Sequence, residues 1–171
     1  LSIYALVFTL IIGIASGIVA ALRQNTWIDQ ATMMFAMIGI SVPNFFLGLL
    51  MIILFAVHLG WLPSGGYVPF SQDPMGWLRS MTMPAFSLAL LQAGLLARIT
   101  RSSMLEVLRQ DYIRTAKAKG LPQRRVILKH ALANAMIPIV TVVGIIVSLL
   151  LSGAVVTEAL FSIPGMGQLL T

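Results

Sequence analysis

The chain has 171 residues, 58% of them hydrophobic and only 9% charged, with eleven Lys and Arg against five Asp and Glu and no cysteine. A soluble domain carries about 25% charged residues, so this composition excludes a water-soluble globule and places the chain in a bilayer, where helices satisfy the backbone. The net charge of +6 comes without a soluble basic reader module, which argues against nucleic acid, and the lack of cysteine excludes a disulfide framework and a thiolate metal site.

Residues 1–22 are uncharged over more than the roughly 7–15 residues of a signal-peptide core and have no basic leader. They read as a membrane-spanning helix. The chain begins at Leu1 and runs straight into apolar sequence, so we expect a fragment truncated at both ends. Gly13 and Gly17 form a GxxxG spacing that suits either general close packing or a dimer face. Charge-free stretches at 30–57, 80–97 and 131–157 each approach or exceed the roughly 17–25 residues that cross about 30 Å of hydrocarbon. In the third of the four stretches Pro84 leaves only 85–97 as uninterrupted helix, which should lean on its neighbours. The expectation is an all-α polytopic transmembrane bundle with about four spans.

Nine of the eleven cations fall in 98–130, opposed there only by Glu106 and Asp111. The positive-inside rule puts this loop in the cytoplasm, and alternation then puts 58–79 outside and 23–29 inside. Trp61 and Trp77 lie near the ends of the outer loop, where they fit an interfacial aromatic belt or ordinary packing. No span interior holds an acid, which argues against an ion-coupled carrier. There is no Walker A signature, zinc-binding His-Glu-x-x-His or nucleophile elbow; no catalytic or metal-ligating residues are expected. Ser41, Asn44 and Gln92 are polar groups inside spans, suited to lining a pathway or to joining helices.

The basic loop has internal order. Ser103-Met104-Leu105-Glu106 has capping-box spacing for a helix start. Asp111 offers a second N-cap, for a helix through Tyr112, Ile113, Thr115, Ala116 and Ala118, with Lys117 and Lys119 in its last turn. Gly120 fits the left-handed position after that helix and Pro122 the first turn of the next. The pattern is helix, elbow, helix, with the second helix re-entering the bilayer from Ala131 and Pro138 a candidate kink. So short a helix cannot hold itself together in water. It packs either on anionic lipid, at about 1 kcal/mol per cation, or on another protein, for which the small residues Thr115, Ala116, Ala118 and Gly120 are suited.

"YIRTAKAKG" and the return through "NAMIPIV" closely resemble the cytoplasmic loop of ABC importer permeases, the membrane subunits of binding-protein-dependent uptake systems. In that family the loop carries Glu-Ala-Ala, three residues and Gly, then a later Ile-x-Leu-Pro. Here Arg114-Thr115-Ala116 stand at the three leading places and Gly120 at the glycine. The glutamate and first alanine are replaced, and Gly120 and Pro138 stand 18 residues apart, farther than in the general pattern. Both departures, together with "GWLPSGGY" at 60–67, "RSSMLEVLRQDYIRTAKAKGL" at 101–121 and "FSIPGMGQLL" at 161–170, resemble the dipeptide, oligopeptide and nickel branch, the dipeptide-type permease above all.

The resemblance covers the chain and implies a type I ABC importer permease fold in a bacterial cytoplasmic membrane, with further spans on either side. It implies that the loop helix docks on a separate ATPase chain that binds ATP and Mg, this chain being non-catalytic and without a cofactor. Asp111 would cap that helix, Tyr112, Thr115 and Ala116 would form its contact face, and Gly120 would make the elbow; Arg114 stands in place of the family's glutamate. A second permease subunit and an extracytoplasmic binding protein are the other implied partners. Peptide is the expected cargo, with nickel as the alternative within the branch. An ion-coupled carrier or pore, and a scaffold whose basic loop holds lipid, are the rivals from other classes.

Overall fold

The computed structural model describes residues 1–165, so positions 166–170 of "FSIPGMGQLL" lie outside the described residues. Within them the chain is helical, without strands. Helix α1 is Ser2–Leu22, α2 is Trp27–Ser41, and α3, Asn44–Met51, continues into a more widely wound π-helical segment, Ile52–His58. Helix α4 is Pro74–Leu108 and α5 is Asp111–Ala118; α6, Gln123–Arg125, passes through a second π-helical segment, Val126–Ala131, into α7, Leu132–Leu160.

Helix α4 is the hub, packing against α1, α2, α3 and α7. Its 35 residues at 1.5 Å each give about 52 Å, more than a bilayer core requires. Small residues make this possible: Ser80, Ala85, Ser87, Ala89, Ala93, Gly94 and Ala97 are all buried along it. The GxxxG pair of α1 faces it too. A Cβ on Gly17 would lie 2.5 Å from Cβ of Thr100 and 2.6 Å from the Ala97 carbonyl oxygen, and one on Gly13 would lie 2.8 Å from Cβ of Leu96. The spacing therefore serves packing within the chain. Gly94 does the same for α2, since a Cβ there would meet the Ala36 carbonyl oxygen at 2.6 Å.

Three sequence expectations are corrected. The stretch 30–57 is not one helix but two, α2 and α3 with its π continuation, meeting at 104°. Pro43 explains the break: it holds Val42 in extended backbone (φ −86°, ψ 123°), as a residue before proline prefers. Conversely, Pro84 does not interrupt its span, because α4 runs through it, and a packed membrane helix tolerates the lost donor where neighbours hold it. Nor does Ser103 start a helix. Ser103 to Glu106 lie inside α4, where the amides a capping box would satisfy are already bonded within the helix.

The bundle has two distinct ends. At one, Met51, Met81, Met83, Phe161 and Ile163 form a buried cluster with Tyr4, Phe55, Trp77 and Phe86 around it. Trp77 lies with its ring centroid 5.5 Å from those of both Tyr4 and Phe70, edge to face with the latter, so it is a packing residue, while Trp61 is 65% exposed. Two of the sequence motifs meet here: the Gly66 amide donates to the Phe161 carbonyl at 2.9 Å. The other end carries the basic residues, α5 and the exposed Trp27. Asp29 of α2 is bonded to Arg101 at the basic end, whereas Phe55, beyond α3, packs at the aromatic end. Thus α2 and α3 together form one broken span that connects both ends.

Candidate coupling loop and pathway face

Helix α4 passes to α5 through only Arg109 and Gln110. The Gln110 carbonyl accepts the Ile113 and Arg114 amides at 3.1 and 3.3 Å, so the helix begins after Gln110. Asp111 is therefore the first helical residue rather than the cap, and no side chain caps this end. Its charge still favours the positive helix terminus. The Thr115 hydroxyl bonds back to the Asp111 carbonyl at 3.0 Å. Arg114 reaches the Asp111 carboxylate at 3.5 Å, both side chains being exposed, an arrangement that contributes little to stability.

The elbow is a Schellman motif. Gly120, at φ 76°, donates its amide to Lys117 at 3.0 Å, and Leu121 donates to Ala116 at 3.3 Å, the two bonds that close a helix through a left-handed residue. Pro122 precedes the next helix as its cap (ψ 138°) rather than lying in its first turn; its carbonyl accepts the Arg125 amide at 2.9 Å. From Gln123 the helix continues without a break past Pro138 to Leu160.

Helix α5 has two faces. Ile113 and Ala116 are buried in the same cluster as Met104, Val126 and Ala131, and the helix rests on the second π-helical segment. Ala116, expected on a partner-facing surface, thus points into the chain's own core, 9% exposed; as the residue three after Ile113 it shares its stripe. Asp111, Tyr112, Thr115, Ala118 and Gly120 remain exposed.

The polar residues inside the spans do not converge. Ser41 is exposed just before the break, bonded to the Met37 carbonyl at 2.9 Å. Asn44 joins α3 to α7 through the Thr157 hydroxyl at 2.8 Å, the joining role open to such a residue. Gln92 is buried within α4. Two features escape a reading of the sequence. One is a polar line on α7: Asn134, Thr141, Ser148 and Ser152 are all exposed, and steps of seven, seven and four residues keep them on one side. They run about 27 Å along the helix, opposite a buried face of Ala135, Ile139, Ile146, Leu150 and Ala154. The exposed face of α1 is instead wholly apolar in its large residues, Ile3, Val7, Ile11, Val19 and Leu22. Spacing alone hints at the line, but only the fold shows which face is covered.

The other is an ion pair. Asp29, 3% exposed, accepts from Arg101 Nε at 2.6 Å and from its Nη2 at 2.6 Å, and from the Asn25 amide at 3.0 Å. An acid in a short loop on the same side as nine cations is the signal the sequence offers. Among the described residues no group of His, Cys, Asp and Glu is arranged to hold a metal.

Among the described residues three helices are long and apolar enough to cross a membrane, and the bent pair of α2 and α3 makes a fourth such span. The chain belongs to the family of binding-protein-dependent transport system inner membrane components, whose model matches residues 13–171. It is 52% identical over 170 residues to a protein named as a peptide transport system permease in Brucella suis biovar 1 (strain 1330), covering 99% of this chain and 54% of that protein. It is 46% identical over 168 residues to the dipeptide transport system permease protein DppB of Bacillus subtilis (strain 168), covering 98% and 52%. With the glutathione transport system permease protein GsiC of Escherichia coli (strain K12) it shares 44% over 170 residues, covering 99% and 53%. The chain spans about half the length of these relatives.

Proposed function

We propose that this chain forms part of the permease subunit of an ATP-driven importer of small peptides in a bacterial cytoplasmic membrane. The observation that carries the reading is α5: a short helix fixed on its inner side by Ile113 and Ala116, closed by the Gly120 elbow, and presenting Tyr112 and Thr115 outward. A helix that only held lipid would present bulky apolar residues at its surface. This one exposes a single large apolar side chain, Tyr112, beside the small Thr115 and Ala118, an anchored edge suited to a protein cleft. A separate ATPase chain would receive that edge, holding ATP and Mg itself, and its movement would reach the bundle through the two-residue link to α4.

The basic end is then cytoplasmic, following the cation asymmetry, and the aromatic end with Trp61 and the pinned Gly65-Gly66 turn faces the extracytoplasmic binding protein. The polar line of α7, whose Asn134, Thr141 and Ser152 side chains bond back to the carbonyls four residues before them, supplies a wall for the translocation path, shared with a second permease subunit. Peptide cargo is supported by the relatives, whose names specify peptides, dipeptides and glutathione.

Reconstitution tests the reading. The full-length protein, assembled with its partners in proteoliposomes, takes up labelled dipeptide when ATP is supplied and is indifferent to ionophores. Uptake without ATP that collapses on adding an uncoupler would overturn it.

A further inference from the structure

The Asp29–Arg101 pair, with its carboxylate buried and its guanidinium partly exposed, is not explained by packing. Replacing a pair that holds a buried carboxylate with apolar residues is often neutral or stabilising, whereas removing the arginine strands a charge, so the pair is weak evidence of a stability device. Its position is specific. Arg101 stands ten residues before Asp111 on the unbroken rod of α4, whose end carries α5. Asp29 stands in the first turn of α2, the half of the broken span that ends at the 104° bend. Beyond the bend, Asn44 holds α3 to Thr157 of α7 at 2.8 Å. The two-toothed contact of Arg101 fixes direction as well as distance, which one point charge does not.

We propose that Asp29 and Arg101 are positioning residues for transport: beyond the close packing of Gly94 on Ala36, the pair fixes the direction in which the start of α2 follows α4, so that displacement of the loop helix reaches the bend and, through Asn44, α7. This rests on the transport reading above. Assembly and ATP hydrolysis do not require the pair; coupling them to uptake does.

The test uses the full-length complex in proteoliposomes, with dipeptide uptake, ATP hydrolysis and recovery of the assembled complex measured side by side. If the parent shows no ATP-driven uptake, the transport reading itself fails, before any variant is considered. Given an active parent, Asp29→Asn and Arg101→Gln should assemble and hydrolyse ATP within about twofold of it while uptake falls about tenfold, the scale of a coupling element. The charge swap Asp29→Arg with Arg101→Asp, or the conservative Arg101→Lys, should regain part of the uptake. Three results overturn the proposal: uptake retained in the neutral variants; uptake, hydrolysis and assembly lost together, which marks a structural role; or no recovery in either the swap or Arg101→Lys.

Discussion

Helices α4 and α7 are both longer than a bilayer needs and both carry an internal proline, yet 72% of the most apolar window of α4 is buried against 22% for Gln123–Leu160. The more apolar helix is the more exposed one. In water the order would be reversed, because burial there is driven by apolar surface. In lipid the tails are as apolar as leucine, so helices associate through close approach and hydrogen bonds, which small and weakly polar residues permit. The burial of Ser80, Ser87, Gln92, Thr100 and Ser103 on α4 follows from that rule. So does the exposure of Ile137, Val140, Ile145 and Val156 on α7. One helix is the scaffold of the described residues; the other leaves most of its surface uncovered.

The sharpest way to break that contrast is to put the same side chain on each. Gly17→Leu drives a side chain into Thr100 and the Ala97 carbonyl, whereas a Cβ on Gly144 of α7 would meet nothing within 4 Å. Overpacking with backbone as the obstacle should cost about 3 kcal/mol or more at Gly17, and Gly144→Leu should stay within about 0.5 kcal/mol. Thermal unfolding of the purified protein in detergent separates them; equal losses would end the distinction between scaffold and surface.

Next in size is the anchor of α5. Ala116→Asp puts a carboxylate into the cluster around Met104 and Val126, a burial of charge that should cost about 2 kcal/mol or more and release the helix. Membrane insertion should persist while recovery of the ATPase subunit falls sharply. Gly120→Val is the milder version. A β-branched side chain at φ 76° should cost about 1–2 kcal/mol, turning the elbow and weakening ATPase binding by up to about thirtyfold. Neutralising Arg124 and Arg125 together should leave recovery unchanged; if it alone abolishes recovery, lipid rather than protein holds this loop.

The smallest effect on stability belongs to the polar line. Thr141→Val and Ser148→Ala remove hydroxyls from an exposed face, so stability should change by less than about 0.5 kcal/mol, while dipeptide uptake by the assembled transporter should fall. Unchanged uptake in the double variant would mean that this face meets lipid.

What can be read from the sequence depends on whether the signal is local. Composition and charge-free length point to a membrane bundle, and Gly120 with the lysines before it points to the helix end that the structure shows. Local rules fail where tertiary packing outweighs them. Pro84 and Pro43 are both candidate breaks by local rule, yet α4 is held on several sides and the break falls at Pro43 alone of the two. The capping-box spacing at Ser103 is real but sits inside a helix whose amides have no need of it. The faces of α5 and α7 depend on which neighbour covers them, so a local reading turns Ala116 to the wrong side and misses the polar line. The Asp29–Arg101 pair joins residues 72 apart in sequence, and one sequence gives no direct sign of such a contact.

If α5 couples the bundle to an ATPase chain as proposed, that chain covers its outward edge while the permease itself covers its inner edge. The 171 residues contain no cysteine, so single cysteines at Tyr112, Thr115 and Ile113, in full-length protein free of other cysteines, read out both edges with a water-soluble maleimide. Cysteines at 112 and 115 should label readily in the permease alone and become protected when the ATPase is bound, and the cysteine at 113 should stay unreactive throughout. Equal labelling of 112 and 115 with and without the ATPase would contradict the account.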